Sequence, residues 1–173
     1  MAATPLIYPV KGVVTSDFGY RKSPFTGKRE FHKGLDIAAP RRTAVLSTAD
    51  GIVTYAYRKG SFGKTVIIDH GYGVMTCYAH LWKILKKCGD VVKKGDIIAK
   101  VGSTGRSAGP HLHYEIRLYG VKVNPKKYLL NNVLSDFVLA GNSQGKVCNI
   151  KISDIKFPVE ISLGLPVIMR KNS

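Results

Sequence analysis

From Thr43 onward the apolar positions fall into short runs broken by glycine and charged pairs. Thr43 to Thr48 carries Ala44-Val45-Leu46, and Ile52 to Tyr57 follows Gly51. Lys64 to His70 carries Val66-Ile67-Ile68, the Gly71-Tyr72-Gly73 turn comes next, and Val74 to Ala79 returns. Val91-Val92 and Ile97 to Val101 flank Lys93-Lys94-Gly95, and Leu112 to Leu118 alternates apolar with polar residues. Runs this short, bounded by turn residues, predict strands, and the glycine turn predicts a hairpin. No stretch of useful length holds the helical period. The expected fold class is all-β, mainly antiparallel, a sandwich or barrel.

The two ends read differently. Residues 1–31 are expected to form an arm with one short strand and then loop; Ser23 to Arg29 carries turn residues and charges and reads as a surface loop. Residues 129–173 alternate in segments such as Lys146 to Ile152 but are broken at Phe157-Pro158 and Leu165-Pro166. They read as a small β extension packed on the main domain.

The chemistry gathers around histidine. His111 and His113 stand two apart in Gly109-Pro110-His111-Leu112-His113-Tyr114-Glu115. On a strand such residues share a face. His32 and Asp36 stand four apart; Gly34 between them and Pro40 after them argue against a helix. His80 ends the strand-like run that begins at Met75. Zinc accepts imidazole nitrogen and carboxylate oxygen, and a catalytic site uses three protein ligands plus water. Four histidines and one aspartate could therefore fill such a site and leave two groups for proton transfer.

The fifth histidine, His70, lies at the hairpin and is assigned to packing or turn hydrogen bonding. Tyr78 and Tyr114 are read as having the opposite strand parity to the site histidines, and so as facing into packing. Glu115 has the parity of His113 and is either a support for it or an exposed strand residue. Arg21 and Asp17 are given no chemistry. The glycine- and serine-rich loop 102–109 lacks phosphate-loop spacing. It is read instead as bringing backbone close to an extended peptide.

Charge narrows the partners. The chain holds 27 Lys+Arg against 11 Asp+Glu, a formal +16, most of it before residue 129. Such a field draws polyanions. The lysines are scattered, not interleaved with aromatics in one block, so the charge is read as suited to an anionic cell envelope and nucleic acid is excluded as the main partner. Cys77, Cys88 and Cys148 have no metal or redox spacing. Cys77, in an apolar run, reads as a small buried residue. No run approaches 18 apolar residues, so no spanning helix is expected. The first residues lack the pattern of a secretory signal.

Three separated motifs now combine. His32-x-x-x-Asp36, Tyr78-Ala79-His80-Leu81 and Gly105-Arg106-Ser107-x-Gly109-Pro110-His111-Leu112-His113-Tyr114-Glu115 resemble, in order, the lysostaphin-type zinc metallopeptidases, the M23 or LytM family. Ser16 to Arg21 and Gly34 to Pro40 extend the likeness, which covers residues 8–128 as one peptidase domain. The resemblance implies the lysostaphin-type fold and hydrolysis of peptide cross-links or stem peptides in bacterial peptidoglycan. It implies a single zinc ion held by His32, Asp36 and His113, with His80 and His111 as the pair that accepts the proton and stabilises the oxyanion; the sequence does not say which does which, and His111 is the preferred base with His80 assisting. It also implies a periplasmic, cell-envelope or extracellular location, for a chain trimmed of its export segment. The alternative function is a non-catalytic activator of cell-wall amidases or a wall-binding module. Residues 131–173 are a candidate for self-inhibition by covering the groove.

Overall fold

The structure is a computed structural model and describes residues 4–129. Twelve strands run in chain order: β1 Val13–Ser16, β2 Gly19–Lys22, β3 Arg29–His32, β4 Leu35–Ala38, β5 Ala44–Leu46, β6 Gly51–Arg58, β7 Lys64–Asp69, β8 Val74–Ile84, β9 Val91–Val92, β10 Ile97–Val101, β11 His111–Leu118 and β12 Val121–Val123. Two 3₁₀ turns, at Gly60–Phe62 and Pro125–Lys127, complete the regular structure. The described residues are thus all-β, as the short runs predict, and every strand pair is antiparallel. No helix among them is long and apolar enough to cross a membrane.

One ten-stranded sheet follows the order β1-β4-β11-β8-β7-β6-β9, with β10 joining β8 to β5 and β12 beside β11; β2 and β3 form a separate hairpin. Beta-branched and aromatic residues favour these strands because they pack well on a pleated surface. Leu35 and Ile37 of β4, Val66 and Ile68 of β7, Leu112 and Ile116 of β11 are fully buried in one core with Leu81 and Ile98. Each such side chain contributes about 1.5–3 kcal/mol by leaving water.

The arm differs from the reading of one strand followed by loop. Residues 13–32 carry three strands, β1 to β3. Each is only four residues long, too short for a clear alternation, and β2 and β3 are held by each other: Arg21 stands opposite Glu30 and Tyr20 opposite Phe31. Residues 23–28 between them are loop, as the turn residues require. The β8 strand also runs five residues further than expected, to Ile84, because β10 pairs with its second half. The expected β extension falls on residues outside those described, apart from Leu129.

His70 is structural, as assigned. It is buried, its Nδ1–H donates to the Asp50 carbonyl at 2.7 Å, and its Nε2 meets the Thr76 hydroxyl at 2.7 Å. Desolvation by burial lowers its pKa, outweighing the Asp50 hydrogen bond that raises it. Cys77 is buried and Cys88 is exposed, both as free thiols. Cys148 lies outside the described residues.

Candidate metal centre

Strand β11 lies between β4 and β8, and this order assembles the site. His113 stands directly opposite Asp36 on one side and Ala79 on the other. Opposed residues in antiparallel strands hold their Cβ atoms about 4.5–5.5 Å apart, close enough for direct side-chain contact. His111, two residues earlier, shares the face of His113. His32 arrives from the separate β2–β3 hairpin, and the chain turns through Lys33-Gly34 into β4. All five residues expected to form the site line one groove of about 890 Å³.

The donors of His32, Asp36 and His113 lie within 4.8 Å of one another, and all three residues are buried. Asp36 Oδ1 is 2.8 Å from His113 Nδ1 and 3.1 Å from His32 Nε2, and the two nitrogens are 3.2 Å apart. Tetrahedral ligands at about 2.0–2.1 Å from zinc stand roughly 3.3 Å from each other. Two imidazole nitrogens and a carboxylate oxygen at these separations fit that ion, and these are the residues that could hold it.

The other ring nitrogens determine which atoms face the centre. His32 Nδ1–H donates to the Asp17 carbonyl at 2.7 Å, leaving the Nε2 lone pair inward. His113 Nε2–H donates to Glu115 Oε1 at 3.3 Å, leaving Nδ1 inward. His80 Nδ1–H donates to the Thr104 carbonyl at 2.8 Å, and His111 Nδ1–H to the Gly109 carbonyl at 2.8 Å. Their Nε2 atoms are free of these anchors. Such outer contacts fix tautomer and ring orientation. The rings of His80 and His111 are 4.8 Å apart, and His111 Nε2 is 3.8 Å from Asp36 Oδ1.

Charge supports the same arrangement. Burial alone would raise the Asp36 carboxyl, but with no ion between them the protonated rings of His113 and then His32 hold it well below the usual range. Burial would likewise raise Glu115. Hydrogen bonds from His113, Lys122 and Arg117 outweigh it and bring Glu115 down to about 2. Glu115 is therefore a buried, paired carboxylate supporting His113, which resolves the two readings left open for it. His80 is driven down to about 4, first by burial and then by the neighbouring His111 and His113, against the Thr104 hydrogen bond. It is a neutral imidazole at neutral pH.

Arg21 and the Asp17 carbonyl were given no chemistry from the sequence, yet both act on the site. Arg21 Nη1 donates to Asp36 Oδ2 at 2.8 Å and to Ser16 Oγ at 2.6 Å, while its Nε donates to Glu30 at 3.1 Å. Arg21 thereby turns Asp36 Oδ1 toward the histidines. A signal existed in the charge pair Arg21 and Glu30, but only the hairpin register exposes it. The Asp17 carbonyl has no sequence signature.

The argument from strand parity holds for Tyr114 and needs correction for Tyr78. Tyr78 and His80 are two apart and would share a face on a regular strand. They do not, because His80 takes a left-handed backbone at φ 60° and the pairing with β7 shifts between Tyr78 and Leu81. Tyr78 is fully buried with Tyr114, both hydroxyls on Thr48 at 3.0 and 2.9 Å, while His80 turns into the groove. A non-glycine residue held this way costs on the order of 1–3 kcal/mol, and such strain gathers at functional sites.

Gly34 provides the clearance. A Cβ there would stand 2.6 Å from His113 Cε1 and 2.7 Å from the Tyr114 carbonyl. Backbone cannot yield easily, so the imidazole must. Gly34→Ala is expected to displace the His113 ring and weaken the affinity of the cluster for a metal ion by about 10–100-fold, the range seen when a ligand loses its orientation. Competition titration with a zinc-binding dye measures it; unchanged affinity in the folded variant would show that the ring has room.

Residues 30–125 match the family model described as Peptidase family M23. The chain is 48% identical over 121 residues to the DD-carboxypeptidase/endopeptidase Mpg of Neisseria meningitidis, covering 70% of this chain and 27% of that protein. It is 42% identical over 123 residues to the peptidoglycan DD-endopeptidase ShyA of Vibrio cholerae, covering 69% and 29%. The chain thus spans under a third of the length of these relatives. Among solved structures, a zinc-containing peptidase from Vibrio cholerae matches with a TM-score of 0.65 at 40% identity, over 72% of this chain and 39% of that one. The catalytic domain of lysostaphin from Staphylococcus simulans matches with a TM-score of 0.61 at 27% identity, over 66% and 90%. With the matched residues running from the β2–β3 hairpin past β12 and enclosing the whole donor cluster, this chain belongs to peptidase family M23.

Proposed function

We propose that this chain is a zinc-dependent endopeptidase that hydrolyses peptide cross-links or stem peptides of bacterial peptidoglycan. One observation carries the reading: four imidazoles are each pinned through one nitrogen to a carbonyl or carboxylate, the second nitrogens of His113, His32 and His111 lie 2.8, 3.1 and 3.8 Å from Asp36 Oδ1, and the His80 ring stands 4.8 Å from that of His111. His32 Nε2, Asp36 Oδ1 and His113 Nδ1 are the proposed ligands. A zinc ion held by them would supply Lewis acidity and lower the pKa of a water to about 7.

The remaining steps belong to His80 and His111. A base must accept the proton of the attacking water and so become a cation. Burial opposes a charge on His80, whereas His111 is only half-buried at the groove wall. His111 is therefore the proposed base. His80 Nε2 assists from 4.8 Å ring-to-ring, orienting the water and sharing the proton as it passes to the leaving amine. Arg21 and Glu115 hold the ligands and do not touch the reacting atoms. A substrate in the cell wall places this activity in the periplasm or at the cell envelope, where the +16 charge favours retention on anionic polymer.

The test is digestion of purified sacculi by the zinc-loaded protein, with and without a chelator, read by mass spectrometry of released fragments. Chelator-sensitive release of peptide-cleaved fragments is the expected result. Binding to sacculi without cleavage, by folded protein shown to hold zinc, would replace the enzyme with an amidase activator or a wall-binding module.

A further inference from the structure

Outside the lining of the groove, β8 and β10 gather cations around Trp82, the one tryptophan of the chain. Strand β8 carries an extra residue here. Val101 pairs with Leu81 and Lys100 with Lys83, which leaves Trp82 with no residue opposite it. Such a bulge resets the alternation of faces. Leu81 and Ile84 both reach the core, so Trp82, half-buried, and Lys83, exposed, both turn outward. The Arg42 guanidinium lies 4.6 Å from the centre of the Trp82 ring, and that of Arg41 lies 5.8 Å away. Lys64 Nζ donates to the Trp82 carbonyl at 3.0 Å.

Two features of this surface work against stability. Lys83 and Lys100 stand directly opposite each other, and like charges so placed repel. Arg42 holds a left-handed backbone at φ 74°, which an arginine rarely adopts. Nothing among the described residues offsets either. None of Arg41, Arg42, Lys64, Lys83 and Lys100 pairs with a carboxylate there, while Asp50 is engaged by Lys93, Asp96 by Lys86, and Glu115 by Arg117 and Lys122. Local conflict that a fold retains in one place marks a surface shaped by function.

Charge sets the chemistry of the partner: it is anionic, with acidic groups spaced to meet several cations at once. A bilayer would need apolar groups to enter it, and the large apolar side chain of the cluster, Trp82, is half-buried beneath Arg42. A single-stranded nucleic acid would stack its bases on a free aromatic face, and Arg42 lies over that face. We propose that the Trp82 surface is a docking site for an acidic glycan, a saccharide chain that bears anionic groups at intervals. His80, two residues earlier on β8, lines the groove, so a polymer held at Trp82 is held next to the groove. The inference stands apart from the peptidase reading, because binding needs neither metal nor turnover.

The probe is a fluorescent heparin dodecasaccharide, a model acidic glycan, titrated with the full chain and read by anisotropy. Lys83→Gln combined with Lys100→Gln is expected to weaken binding about 10-fold, the product of two surface ion contacts. Arg42→Asn should weaken it as well; asparagine accepts the left-handed backbone, so the charge is removed without added strain. A chain of net charge +16 attracts any polyanion. The control is therefore an equal loss of charge elsewhere, Lys87→Gln combined with Lys94→Gln, two exposed lysines outside the cluster. Salt screens distant charges, so this pair should leave the affinity within about 2-fold of wild type at 0.15 M salt. Equal weakening by the two pairs would show that binding follows net charge alone and overturns the proposal, as does wild-type chain that does not bind. Tighter binding to vesicles of anionic lipid, or to single-stranded DNA, that is lost with the same two lysines would overturn the choice of a glycan and put that partner in its place.

Discussion

His113→Ala is expected to strip the chain of zinc and reduce peptidoglycan hydrolysis to background. A catalytic zinc site uses three protein ligands, and this substitution leaves His32 and Asp36 alone. The folded chain should survive it. Asp36 keeps Arg21 at 2.8 Å, and Glu115 keeps Arg117 at 2.6 Å and Lys122 at 2.7 Å, so no buried charge loses its last partner. The leucine, isoleucine and valine core lies on the opposite face of β11 and is untouched. Metal content is read by native mass spectrometry, hydrolysis on sacculi, and folding by circular dichroism. A variant that keeps both metal and activity would sink the ligand assignment; one that is merely unfolded would show in the third measurement.

The second large effect separates proton handling from metal binding. His111→Ala and His80→Asn should keep zinc and lose about 10²–10⁴-fold in kcat, the range for a general acid or base. Asparagine suits position 80 because it tolerates the left-handed backbone at φ 60° better than alanine does. It thereby removes the imidazole without adding strain. His111→Ala is expected to be the more damaging, because His111 is only half-buried and water can solvate the charge a base acquires, while His80 is buried. Zinc is measured alongside turnover. If either variant loses metal as completely as His113→Ala, that histidine is a ligand and the roles must be exchanged.

These two results probe different levels of legibility. The pairing of His111 with His113 was readable because strand alternation is local, and β11 is regular across both residues. His80 was readable as a candidate, but its direction was not. Alternation would send it to the side of Tyr78, and only the left-handed backbone and the shifted pairing with β7 turn it into the groove. The β11–β12 hairpin was likewise hidden. Tyr119 and Gly120 both have positive φ, at 48° and 80°, a two-residue turn whose first residue is not one that usually announces it.

By itself, the sequence determined what depends on neighbours along the chain. It specified the short β runs, the turns at Gly71 to Gly73, the lack of any helical period, and the chemical kinds of the donors. Those follow from local sterics and from side-chain pKa and ligand chemistry. The tertiary structure decided what depends on residues far apart. It set Asp36 opposite His113 by placing β4 against β11, and brought Arg21 onto Asp36 through a hairpin in a separate sheet. It also supplied the Asp17, Thr104 and Gly109 carbonyls that orient the rings. A backbone carbonyl is the same atom pair in every residue. Which one meets a histidine is therefore a property of the packed chain and has no letter in the sequence.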